Sequence, residues 1–147
     1  MIHLWSVLCS RVITDQVTGK VSLIDVPEIL HLPQELADTA ESNPFRMVMD
    51  LKLVTFFWMV DGDELKFEVR VSVRNPNGKK QLESVVVVDD EKPIGYEGVR
   101  ILHDIPKIFF AGFGLYQFDV HTRKLSGPGN WKKVASLPLL VKLLGAT

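Results

Sequence analysis

The sequence predicts an all-β protein, an antiparallel β-sandwich of about eight strands with Greek-key connections and one short helix near residues 33–41. Three observations carry this. Apolar residues recur with period two along most of the chain. Turn-forming residues interrupt the apolar runs about every 8–15 residues. No crossover segment shows a sustained helical period, and alternation supplies one core-facing side per sheet.

Residues 2–13 form the first expected strand and residues 21–32 the second, around a turn at residues 15–20 that contains Gly19. Pro33 suits a first helical position, and Leu36, Ala37 and Ala40 give residues 33–41 one apolar side. A long hairpin is expected over residues 45–74. Phe45, Met47, Met49, Leu51 and Leu53 alternate with mostly polar residues, and residues 54–60 become apolar on both faces apart from Thr55. Asp61-Gly62-Asp63-Glu64 makes the turn. Leu65, Phe67, Val69, Val71 and Val73 then face one side, and Lys66, Glu68, Arg70, Ser72 and Arg74 the other. Asn75-Pro76-Asn77-Gly78 is dense in turn chemistry. Residues 80–89, 99–110, 115–121 and 134–143 complete the strands, with Pro138 marking the last as an edge or a bulge.

The chain of 147 residues reads as one domain, 1–147. At that length folding buries roughly 70% of the extended surface, so a core forms without disulfides or metal. With 46% hydrophobic and 24% charged residues, disorder and coiled coil are excluded. A net charge of −1 argues against nucleic-acid binding, which calls for a basic excess. Met1 to Trp5 holds no Lys or Arg, and Arg11 follows the first apolar run, the wrong order for a secretory signal. The longest uncharged stretch, residues 108–118, is too short for a membrane-spanning helix. A single Cys9 excludes an internal disulfide and a multi-cysteine zinc site, and points to a reducing, cytoplasmic setting.

Three stretches resemble a family of uncharacterised bacterial proteins, a domain of unknown function. They are Trp5-Ser6-Val7-Leu8-Cys9, then the turn and strand Thr18-Gly19-Lys20-Val21-Ser22-Leu23-Ile24-Asp25-Val26. The third is a closing hairpin, Gly114-Leu115-Tyr116-Gln117-Phe118-Asp119-Val120 with Leu137-Pro138-Leu139-Leu140-Val141. The resemblance implies a small β-sandwich and no catalytic residues.

Catalytic motifs are sparse. Cys9 lies within an apolar strand, where a thiol acts as a small hydrophobe. His103 and Asp104 are adjacent, so a strand puts them on opposite faces. His3, His31, His103 and His121 share no short metal-ligand spacing. Gly112-Phe113-Gly114 and Gly127-Pro128-Gly129 lack the Lys-Ser/Thr ending of a phosphate loop and read as turns.

Two loop groups are candidate binding elements. Alternating strand directions gather Asp61, Asp63, Glu64, Asp89, Asp90 and Glu91 at one end of the sandwich, where carboxylates can ligate Ca²⁺. No Asp-x-Asp-x-Asp-Gly loop is present, and acidic turns also serve simply to stay wet. The same end carries the longest loop, residues 121–133, with Arg123, Lys124, Trp131, Lys132 and Lys133 suited to phosphate or an acidic partner. A third feature is the doubly apolar strand. Phe56 and Trp58 face away from Phe57 and Met59 and need cover from residues 33–41 or from a second subunit in a homodimer. The leading expectation is a non-enzymatic protein-interaction or scaffold module without cofactor. The alternative is a Ca²⁺- or phosphate-responsive domain.

Overall fold

The computed structural model describes residues 1–32, 50–60, 65–90, 98–105, 108, 112–126 and 129–144, with backbone alone for Leu32, Leu65 and Asp90. Ten strands and no helix occur among the described residues. They are β1 (Ile2–Cys9), β2 (Arg11–Thr14), β3 (Val21–Ile24), β4 (Ile29–Leu32) and β5 (Leu51–Trp58), followed by β6 (Leu65–Arg74), β7 (Lys80–Asp90), β8 (Gly98–Ile105), β9 (Gly114–Lys124) and β10 (Lys132–Leu143). The helix expected at residues 33–41 lies outside the described residues.

Three sheets form: a three-stranded sheet in the order β1-β5-β8, a five-stranded sheet in the order β4-β10-β9-β6-β7, and the β2-β3 ribbon. Pairing is antiparallel throughout, except that β4 runs parallel to β10. The two larger sheets supply one apolar core. Leu8, Leu53, Phe57 and Ile101 come from the first, and Phe67, Val69, Val71, Phe118, Val120 and Leu139 from the second. Phe57 meets Phe67 edge to face across it, 5.7 Å between ring centres.

Two of the expected strands are broken, each for a local reason. The expected run of residues 2–13 splits at Ser10, whose N–H is bonded to the carbonyls of Ile24 and Asp25 instead of a sheet partner. The chain turns there into the ribbon. Asp15 closes the ribbon, accepting the N–H groups of Val17 and Thr18 at 2.8 and 3.0 Å. Residues 21–32 split at Asp25, which adopts φ +52°, and Pro27 follows.

The long hairpin over residues 45–74 does not form as expected. β5 is the middle of the three-stranded sheet and β6 lies inside the five-stranded one. Met59, directly after β5, is wholly buried, and the expected turn at residues 61–64 lies outside the described residues. Alternation reports which face is buried, and that is the same whether a strand pairs with its sequence neighbour or faces it across a core. The faces themselves are as expected: Phe67, Val69, Val71 and Val73 are buried.

Candidate functional site

The β9–β10 hairpin brings the expected basic residues to one end of the molecule. β6 begins and β7 ends at that same end, since Phe67 pairs with Lys124 and Leu65 with Asp90. The register then divides the basic cluster between two faces. Arg123 and Lys133 carry their charge on the outer face of the five-stranded sheet. Arg123 Nε donates to Glu68 Oε2 at 2.6 Å, across the β6–β9 pair. Its guanidinium lies 4.6 Å from the Trp131 ring centre, and that of Arg70 lies 4.2 Å from it. Trp131 therefore fastens its loop to the sheet between two cations.

Lys133 Nζ contacts Asp119 Oδ1 at 2.5 Å, Ser136 Oγ donates to the same oxygen at 2.7 Å, and Arg74 binds Oδ2. Burial pushes the Asp119 carboxyl up. The donors Lys133, Ser136 and Arg74 outweigh burial and hold it below the usual carboxylate range. Burial, with Arg70 and Lys133 nearby, lowers His121 against the opposing pull of Asp119.

Lys124 and Lys132 take the other side. Lys124 pairs with Phe67 and Lys132 with Thr122, so both share the core-facing side, at the open end of the gap between the sheets. There an open cleft of about 900 Å³ is bounded by Ile2, His3 and Phe57 on one side and by Thr122, Lys124, Ser126, Asn130 and Lys132 on the other. Among the described residues its lining holds Arg123, Lys124, Lys132 and Lys133 and no carboxylate. Lys124 and Lys132 have no ion-pair partner among the described residues. His3 is fixed by a 2.8 Å hydrogen bond to Ser6 Oγ, which donates on to Thr55. Burial lowers its pKa, against the pull of a backbone hydrogen bond at Trp5, and so favours the neutral ring.

Asp61 and Asp63 lie outside the described residues, as does the side chain of Asp90. Asp89 is 3.6 Å from Lys66. No group of three His, Cys, Asp or Glu residues suited to a metal occurs among the described residues.

Phe56 and Trp58 do face away from the core, as their spacing requires. Trp5 and Phe56 rings are 5.4 Å apart, and the Phe56 ring lies across Gly98, where a Cβ would fall 2.2 Å from its Cζ. The β2-β3 ribbon packs back toward β5, and Arg100 Nη1 donates to its Gly19 carbonyl at 2.8 Å. Val54 is accordingly only 2% exposed, whereas Trp58 remains 38% exposed. The ribbon thus covers part of the face for which residues 33–41 were expected.

Cys9 is buried and its thiol is pushed up by that burial, against the pull of Lys52. His103 is wholly buried on the core side of β8 and neither ring nitrogen has a partner among the described residues. Asp104 points outward to Lys52.

Sequence reasoning missed the Arg74–Asp119–Lys133 cluster and the contribution of His3 and Thr122 to the cleft. The opposite charges of Glu68 and Arg123 become a signal only once β6 and β9 are known to be neighbours. No helix among the described residues is long and apolar enough to cross a membrane. Compared with protein-family models, curated proteins and solved structures, the chain gives no match.

Proposed function

We propose that the chain is a non-enzymatic interaction domain, a two-sheet sandwich of Greek-key type, whose open end receives an acidic segment of a protein partner. The observation that carries this reading is the cleft under the β9–β10 hairpin, toward which Lys124 and Lys132 turn their charge and whose lining, among the described residues, holds no carboxylate. Two of its lysines, Lys124 and Lys132, keep their charge uncommitted, while Arg123 and Lys133 are held by Glu68 and Asp119. Such a cleft attracts anions and orients them against the polar groups of Thr122, Ser126 and Asn130. A buried, up-shifted Cys9 and a solitary His103 supply neither a nucleophile nor a base, which favours binding over catalysis.

Fluorescence polarisation with a labelled Glu/Asp-rich peptide tests the reading. Saturable binding that weakens with salt and is lost in Lys124→Glu/Lys132→Glu supports it. Binding unchanged by that double substitution, or no binding at low salt, overturns it. Inorganic phosphate as competitor separates a phosphate-reading cleft from one that needs the peptide.

The calcium reading takes Asp61, Asp63, Asp89 and Asp90 as ligands, of which the described residues place Asp89 and the backbone of Asp90 at this end of the sheet. Asp89 already faces Lys66, which weakens the reading. Calorimetry with Ca²⁺ decides between the two.

A further inference from the structure

We infer that the acidic segment received by the cleft also carries a bulky apolar residue, which docks beside the cleft mouth on Ile2, Trp5, Phe56 and Trp58. The inference rests on the cleft reading above and adds the second half of the recognition surface. On the outer face of the three-stranded sheet the register sets Ile2, Trp58 and Gly98 in one row across β1, β5 and β8, and Trp5, Phe56 and Arg100 in the next. Both rows lie at the cleft end, and Ile2 also lines the cleft itself. The rows beyond them are Val7, Val54 and Leu102, then Cys9, Lys52 and Asp104. The β2-β3 ribbon packs against that far part, where Val54 is 2% and Cys9 0% exposed. Its turn reaches Arg100 through the Gly19 carbonyl, and the first row stays bare, with Ile2 52% and Trp58 38% exposed.

Two local features build this apolar end. The register of β1 shifts between His3 and Trp5, so Leu4 has no opposite residue on β5. Strict alternation from Ile2 would turn Leu4 outward and Trp5 toward the core. The bulge instead sets Trp5 outward, where its ring lies 5.4 Å from that of Phe56. Gly98 leaves room for the Phe56 ring, which a Cβ there would strike. A half-exposed tryptophan in an apolar patch beside a charged rim has the make-up of a binding hot spot. The rim here has one sign of charge. Lys124 and Lys132 have no ion pair among the described residues, and neither the two rows nor the described cleft lining contains a carboxylate. A partner's acids therefore belong on the lysines, and its neighbouring apolar side chain on Trp58. Packed sheets lie about 10 Å apart and an extended chain advances about 3.3 Å per residue, so the two groups are separated by about three to five residues. The charges steer and orient the segment, and the apolar contact supplies most of its affinity.

Fluorescence polarisation with two labelled peptides tests the inference. One contains Glu, Asp and Ser alone, and the other adds a single Phe about four residues from the acids. The Phe peptide is expected to bind about tenfold tighter. Trp58→Ser, with an unchanged melting temperature, should remove that gain and leave the affinity for the acidic peptide as it was; Trp5→Ser serves if Trp58→Ser destabilises the fold. Binding of the acidic peptide with no gain from Phe, or a gain that survives both substitutions, overturns the inference and leaves the cleft reading standing. No binding of either peptide, or a Phe peptide that binds regardless of salt and of Lys124→Glu/Lys132→Glu, overturns both. A wild type that sediments as a dimer dispersed by Trp58→Ser assigns the patch to a second copy of the chain and overturns the inference.

Discussion

His103 should make the fold sensitive to mild acid. It sits wholly buried on β8, opposite Leu53, with no hydrogen-bond partner for either ring nitrogen among the described residues. Burial lowers its pKa from 6.5 to about 4. The unfolded chain therefore takes up a proton on this ring near pH 6.5, while the folded chain resists until about pH 4. Its contribution is fully present above pH 6.5, falls as pH drops, and is gone below about pH 4. That gap corresponds to about 3 kcal/mol, a large share of the ~5–15 kcal/mol of a typical domain. The assay is urea unfolding at a series of pH values between 7.5 and 4, on wild type and His103→Leu. Leu is close in size and cannot be charged. His3 and His121 are also held low, but both proteins keep them, so they cancel in the difference. Asp119 loses its contribution only below the ordinary carboxylate value of 3.8, outside this range. The variant should lose about 3 kcal/mol less than wild type across the series. Identical pH profiles for the two proteins would refute a buried, neutral His103.

Val69→Asp places a carboxylate in the centre of β6, among residues with no exposure, and should lower the free energy of unfolding measured in urea by several kcal/mol or prevent folding. Cys9 should react slowly with a thiol reagent in the native protein and rapidly in denaturant, and fast native labelling would contradict its burial. Trp131→Ala removes the ring between Arg70 and Arg123 and should cost about 1 kcal/mol in thermal melts, with little further loss when Arg70→Ala is added.

The sequence by itself determined the faces of the strands. A strand buried on one side shows period two, so Phe67 to Val73 could be assigned inward, and Phe56 and Trp58 outward, without knowing any partner. It also placed the basic residues of the β9–β10 end and the burial of Cys9. The breaks at Ser10 and Asp25 were not legible, because what ends those strands is a backbone pairing between the two breaks themselves. Only the tertiary structure decided which strands are neighbours. Periodicity records burial and is blind to pairing, so a hairpin and a crossing between sheets leave the same pattern over residues 51–74. The same limit governs the site. Arg123, Lys124, Lys132 and Lys133 form one basic cluster in sequence, but the β9–β10 register turns Lys124 and Lys132 to the cleft and commits Arg123 and Lys133 to Glu68 and Asp119. Which charges stay available depends on distant strands brought together by core burial, and that information is carried by the packed fold.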